Sequence, residues 1–196
     1  MKNSDAKKTS NTIRWGGLAY LLAGLFLILQ QGHELLAGGA TTGLWVALHV
    51  LGYFGLSLGL IGLVAIFLYS KDQIGTLGKW GFILGFLGNS LNGGAAFLNA
   101  FIKPVAPQLT TPTSPLFMGP AGLVILLAAL FVTVGFILFS IALWRADLWR
   151  WAALLVILGS WFGLAAVFST ALFDIGGIIF GIGNAWLGLS LWSADM

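Results

Sequence analysis

Cysteine is absent from this sequence, and charged residues make up only 8% of it. Without cysteine there can be no disulfide, thiolate metal site, cysteine nucleophile or dithiol redox centre. A soluble domain has about 25% charged and about 45–50% apolar residues, whereas this chain is 59% hydrophobic. A soluble fold could not bury so much apolar surface. The composition therefore excludes a soluble protein and predicts a membrane protein.

Proline is also scarce, and all five prolines fall within residues 104–120. The rest of the chain contains six apolar stretches of nearly spanning length, residues 15–37, 44–69, 80–102, 121–144, 149–170 and 175–192. The first stretch is longer than the apolar region of a signal peptide, so we interpret it as a retained helix. We predict an all-α, polytopic transmembrane bundle of about six spans. Residues 1–11 would be a cytoplasmic tail, residues 12–196 a single membrane domain, and residues 104–120 a proline-rich outer loop.

The few basic residues are distributed unevenly between the two sides of this predicted bundle. One side has eight of the nine, namely Lys2, Lys7, Lys8, Arg14, Lys71, Lys79, Arg145 and Arg150, and the other has Lys103. Short loops rich in Lys and Arg stay in the cytoplasm, so we expect both termini inside a multi-pass protein of a bacterial cell membrane. The basic residues flank apolar spans instead of forming a patch, so we expect no nucleic-acid partner.

A weak internal repeat relates two pairs of predicted helices. Residues 66–69 before Asp72 resemble residues 141–144 before Asp147, and residues 79–88 resemble residues 150–159. The second and third helices therefore look like the fourth and fifth. Because the second and fourth helices run in the same direction, the repeat would be of the parallel kind, with its axis along the membrane normal.

Stripes of small and polar residues run along two of the predicted helices. On the third helix they are Gly78, Gly81, Gly85, Asn89, Asn92, Ala96, Asn99 and Lys103, and on the sixth Asp174, Gly177, Gly181, Asn184 and Gly188. Spacings of three and four place each stripe on one helix face. We expect these faces to turn inward and to meet in the bundle. One interpretation is close helix packing with hydrogen bonds from the Asn side chains; the other is a polar path for a small molecule.

Both histidines are expected near the outer membrane face, with His33 beside Glu34 at the end of the first helix and His49 early in the second. Helix ends on the same side add Gln30, Gln31, Asn99, Lys103 and Asp174, so the sequence predicts an outer polar cluster. Solvation at the interface is one explanation. The alternatives are axial ligation of haem or a chlorophyll-type pigment by the histidines, a metal site that includes a carboxylate, and a proton-linked role.

Two motif matches suggest catalysis, and both lack the context that catalysis needs. Residues 55–59 have the spacing of a nucleophile elbow, but that motif requires a strand-to-helix turn, and here it lies within a predicted helix. His49 would be about 12 Å from Ser57 along the helix axis, beyond hydrogen-bond reach. Residues 33–37 begin like a zinc-protease motif but end in Ala37 where the second histidine is required. We therefore predict no catalytic residue and no enzyme activity.

The sequence resembles a group of uncharacterised six-helix bacterial membrane proteins. The resemblance spans most of the chain and is carried by Arg14 with residues 17–18, by His33 and His49, and by residues 59–63, 100–104 and 185–188. It departs from the group at Glu34, where the group would have proline after the histidine. The resemblance implies six helices and implies no particular function.

Together these features lead us to expect a non-enzymatic integral membrane protein without a resident cofactor. Its partners would be the lipid bilayer and other membrane subunits, with the chain acting alone or as an accessory or structural subunit of a larger assembly. The first alternative is a haem- or pigment-binding membrane subunit that uses His33 and His49. The second alternative is a small-molecule transporter with a polar path along the third and sixth helices.

Overall fold

The computed structural model describes residues 2–38, 41–111, 113–114, 118–164 and 169–194. These residues form six α-helices, namely α1 (Lys2–Ala37), α2 (Gly43–Ser70), α3 (Gly75–Phe97), α4 (Pro120–Arg145), α5 (Arg150–Leu164) and α6 (Thr170–Trp192). After α3 the chain continues as a π-helical turn, Leu98–Ile102, and then a short 3₁₀ helix, Pro107–Thr110. The described part of the chain contains no β-strand.

Local sequence signals account for several of the helix ends. The Thr42 hydroxyl accepts a hydrogen bond from the Trp45 backbone N–H at 3.1 Å and so caps the start of α2. Pro120 lies in the first turn of α4, where the missing N–H has no intrahelical partner to lose. Gly75, the first residue of α3, has a φ of +59°, a conformation that favours glycine.

Five of the described helices are long and apolar enough to cross a membrane. The remaining helix, α5, is apolar but has only 15 residues. Its predicted span, residues 149–170, includes residues 165–168, which lie outside the described part of the chain. The all-α class is therefore confirmed, and the chain is an integral membrane protein. The described part of the predicted tail is helical, because α1 begins at Lys2 and continues into the first span.

The helices form a ring in which each packs against its neighbours along the chain, and α1 closes the ring against α6. The most extensive contacts are those of α1 with α6 and of α3 with α4, whereas α2 and α3 pack more loosely. This order does not test the predicted repeat, which stays a prediction.

Both glycine stripes turn inward, but they pack on different helices. Gly81 and Gly88 of α3 lie against the backbone of α4, and Gly181 and Gly188 of α6 lie against the backbone of α1. Our expectation that the two stripes meet is therefore wrong for the glycines of the described helices. The physical reason is that glycine permits backbone contact with the adjacent helix in the ring. The Asn side chains are larger and need space, which a close contact between two backbones does not provide.

The apolar core occupies one half of the bundle. It contains large buried side chains from α2, α4, α5 and α6, including Ile66, Phe139, Leu143, Val156 and Leu191. We call this half the basic end, because five of the basic residues flank it, namely Arg14, Lys71, Lys79, Arg145 and Arg150. The Arg14 guanidinium donates a hydrogen bond to the Trp192 carbonyl at 3.1 Å, which joins the start of the first span to the end of the last.

Candidate ligand-binding cavity

The other half of the bundle contains a polar cavity of about 290 Å³ between α1, α2, α3, α4 and α6. Its polar lining consists mainly of Gln30, Gln31, Glu34, His49, Asn89, Asn92, Asn99, Lys103, Asp174 and Asn184. The Asn residues that the sequence placed in a polar interior and the residues that it placed in an outer cluster therefore line a single cavity. His33 is the exception, because it is not among the residues that line the cavity.

The cavity is elongated along the helix axes. Asp174 and Asn184 both line it on α6 and are ten residues apart, which corresponds to about 15 Å at a rise of about 1.5 Å per residue. Towards the end away from the apolar core, Gln30 is partly exposed and Asn99 is exposed. Tyr20 and Phe136 line the cavity and also belong to the core. They close the cavity towards the basic end and separate it from the packed half of the bundle.

Glycines on α2 provide much of the space. Gly52, Gly55 and Gly59 recur at spacings of three and four and line the same cavity. A Cβ atom at Gly52 would overlap the side-chain amide of Gln30, and one at Gly59 would contact Asn89 Nδ2 at 3.7 Å. The Gly55-xxx-Gly59 spacing, which usually indicates close helix packing, here also leaves room for polar side chains from neighbouring helices.

Glu34, Trp45 and His49 form a hydrogen-bonded cluster beside the cavity. The indole Nε1 of Trp45 donates to Glu34 Oε1 at 2.6 Å, and His49 Nε2 lies 3.1 Å from the same oxygen. The other ring nitrogen of His49, Nδ1, is 2.9 Å from the Trp45 carbonyl oxygen. Trp45 is completely buried, so this cluster fixes the Glu34 carboxyl group between α1 and α2.

The contacts of His49 determine how many protons the cluster holds. Nδ1 faces a carbonyl oxygen, which can only accept, so Nδ1 carries a hydrogen. Nε2 faces a carboxyl oxygen, so a second proton lies between Nε2 and Glu34. Whether that proton resides on the imidazole or on the carboxyl group, the Glu34–His49 pair has no net charge. Both imidazole nitrogens are already occupied, so ligation of haem or a pigment by His49 would require the loss of one of these contacts.

The structure does not bring the two histidines together in the cavity. His33 Nδ1 is buried and has no hydrogen-bond partner, and His49 lines the cavity. Within the described residues there is no group of three or more His, Asp or Glu side chains that could hold a metal ion. The predicted pigment and metal sites therefore have no assembled set of ligands in this part of the chain.

Several polar groups of the cavity are left without partners. Gln31 Oε1 and Asn184 Oδ1 are buried and accept no hydrogen bond. The side chain of Asp174, which is 9% exposed, makes no hydrogen bond or ion pair with the described residues. Lys103 Nζ lies 4.6 Å from the centre of the Trp45 ring, a cation–π contact. The α1 and α6 walls therefore contain polar side chains that make no hydrogen bond with the described residues.

Aromatic residues complete the walls, and sequence reasoning missed them. Tyr53, Phe173 and Phe180 line the cavity, and Trp45 anchors Glu34 from behind. These aromatic residues contact other helices, and such contacts cannot be predicted from the spacing of residues within one helix. The glycine spacing on α2, continued back from Gly59 through Gly52, was the one signal that could have located the cavity face.

Comparison with protein-family models, with curated proteins and with solved structures found no match to this chain. The likeness to uncharacterised six-helix bacterial proteins therefore stays a prediction. Any functional assignment depends on the geometry and chemistry of the cavity.

Proposed function

We propose that this chain is a non-enzymatic integral membrane protein that binds a small polar molecule in the cavity between α1, α2, α3 and α6. The observation that carries the proposal is a set of polar side chains that line the cavity and make no hydrogen bond with the described residues, namely Gln31, Asp174 and Asn184. Polar groups at membrane depth are costly and are often functional. A bound polar molecule would satisfy them.

The competing interpretation, that the Asn side chains join helices, is poorly supported by their contacts. Asn89 Nδ2 donates to the Leu56 carbonyl at 3.4 Å, a long hydrogen bond from α3 to α2. Asn184 Oδ1 has no partner, and Asn92 forms no side-chain hydrogen bond with the described residues. Interhelical hydrogen bonding therefore explains one of these three residues, whereas a ligand-binding role explains why all three line the cavity.

The size of the cavity limits the ligand. Binding pockets for small molecules usually have volumes of about 300–1,000 Å³, and this cavity, at about 290 Å³, lies at the lower limit of that range. The cavity therefore suits a small molecule and would not accommodate a haem. A binding site that is closed at one end of a helical bundle is also what one state of an alternating-access carrier would present. Transport is thus the role we favour for the bound molecule, and the accessory-subunit role stays a prediction.

Cysteine substitution tests whether water and solutes reach the cavity, because the chain has no native thiol. We would place single cysteines at Asn89, Asn92 and Asn184 and measure their reaction with a small water-soluble maleimide in membranes. If the cavity takes up polar solutes, Asn92→Cys reacts readily, and the more deeply buried positions 89 and 184 react more slowly.

Matched controls separate the cavity from the packed core and from lipid. Val156→Cys, in the apolar core, and Ile61→Cys, on an exposed apolar face, should both remain unlabelled. The proposal is refuted if all three cavity positions are as unreactive as Val156→Cys while Val105→Cys, in an exposed turn, reacts.

A further inference from the structure

The side chains that line the cavity also indicate the charge of its ligand. Asp174 is buried, faces the cavity from α6, and has no ion partner within the described residues. The other cavity carboxyl group, Glu34, is already bound by Trp45 and His49. Asp174 is therefore the acidic group of this cavity that remains available to a ligand.

Two amide side chains lie along the same wall of the cavity as Asp174. The Gln31 side chain packs over Gly177, one helical turn along α6 from Asp174, and Asn184 lies further along the same face. Neither amide side chain makes a hydrogen bond with the described residues. Amide side chains can donate or accept, whereas the Asp174 carboxylate only accepts, so a ligand group that binds Asp174 must donate hydrogen bonds.

The one lysine of the cavity is not positioned to neutralise Asp174. Lys103 lines the cavity, but its ammonium group rests on the Trp45 ring at 4.6 Å. Lys103 makes no ion pair with the described residues. The Asp174 carboxylate therefore has no compensating charge among the described residues.

We propose that the cavity binds a small organic molecule through an ammonium group, which sits against the Asp174 carboxylate beside the Gln31 side chain. This inference rests on the proposed binding function and specifies its ligand class. A bare metal cation is a poor match, because the cavity is much larger than one ion and is walled partly by Tyr53, Phe173 and Phe180. Aromatic faces suit the carbon substituents of an organic cation and attract its charge.

The test uses maleimide labelling of Asn92→Cys as a measure of cavity occupancy in the membrane-embedded protein. Four probes are compared at equal concentration: n-butylammonium, 1-butanol, butyrate and sodium ion. We expect n-butylammonium to slow the labelling and the other three to leave it unchanged. In Asp174→Asn the apparent affinity for n-butylammonium should fall by about tenfold or more, whereas Asp174→Glu should retain protection.

The matched control is Asp72→Asn, which removes an exposed carboxylate from the α2–α3 turn and should leave protection intact. Equal protection by 1-butanol or by sodium ion, or protection that persists in Asp174→Asn, would overturn the ammonium proposal. In each of these cases Asn92→Cys still reacts with maleimide, so the binding function itself survives. If Asn92→Cys does not react at all, both proposals fail together.

Discussion

Trp45 and His49 lie one helical turn apart on α2, with their rings stacked at a centroid separation of 3.6 Å. Both rings point a nitrogen at the same oxygen of Glu34, at 2.6 Å and 3.1 Å. Two planar groups thus hold one carboxyl oxygen, and this fixes α1 against α2 at the wall of the cavity. Because Glu34 is held by these two contacts, it is not available to a ligand, although it lines the polar cavity.

Replacing Glu34 with alanine should destabilise the protein by about 2 kcal/mol, because it leaves the buried Trp45 indole N–H and His49 Nε2 without their partner. The expected result is a lower unfolding midpoint in detergent and a change in tryptophan fluorescence. Arg150→Ala is the matched control, since it breaks the ion pair between Arg150 and Asp147. The Arg150 side chain is 55% exposed and the Asp147 side chain 71% exposed. An exposed pair contributes about 0–1 kcal/mol, so this control should change stability little. Equal effects of the two substitutions would contradict the role assigned to Glu34.

The class and organisation of this protein could be predicted from sequence because they depend on short-range signals. Apolar runs long enough to span a membrane and the confinement of proline to residues 104–120 fixed the helix count. The start of α1 was missed, because the polar and basic residues from Lys2 onward continue a helix without any apolar signal. Helix formation in that segment follows from its connection to the first span.

Asp174→Asn should make the empty protein more stable. The carboxylate is buried without an ion partner, and an unpaired charge within a membrane segment is unfavourable by about 3 kcal/mol at the bilayer centre and by less near an interface. Because Asp174 lies near one end of α6, we expect a gain of about 1 kcal/mol. Thermal unfolding of the purified protein without added amine measures this gain in stability. Asp72→Asn should show no comparable gain. A loss of stability would mean that Asp174 has a structural partner and would weigh against its role as a ligand group.

Close contact of α3 with α4 depends on two glycines that face each other. A Cβ atom at Gly135 would overlap the backbone nitrogen of Gly85, and no flexible side chain is available to move aside. Gly135→Ala should therefore destabilise the bundle by about 2 kcal/mol or more. Gly93→Ala is the control on α3, because its Cβ would meet nothing within 4 Å and alanine favours a helix by about 1 kcal/mol. Similar unfolding midpoints for the two variants would show that α3 and α4 do not pack in this way.

The cavity itself was only half predictable from sequence. Asn89, Asn92 and Asn184 could be placed at similar depth by counting residues, and Glu34, Lys103 and Asp174 could be placed at one end of the bundle. Their membership of a single cavity depends on the order of helices around the ring, which sets α2 and α6 on either side of α1. No pattern within one helix encodes that order. The glycines of α2, whose Gly55-xxx-Gly59 spacing is typical of close helix packing, create part of the space.

The cavity should open towards the outside of the cell. Its exposed end lies on the side of Lys103, whereas eight of the nine basic residues lie on the other side, and short loops rich in basic residues remain in the cytoplasm. Val105→Cys and Gln73→Cys place single thiols in exposed turns on opposite sides of the membrane. In intact cells a membrane-impermeant maleimide should label Val105→Cys, and Gln73→Cys should react only after permeabilisation. The reverse pattern would place the mouth of the cavity in the cytoplasm, so the ammonium-bearing ligand would then have to enter from inside the cell.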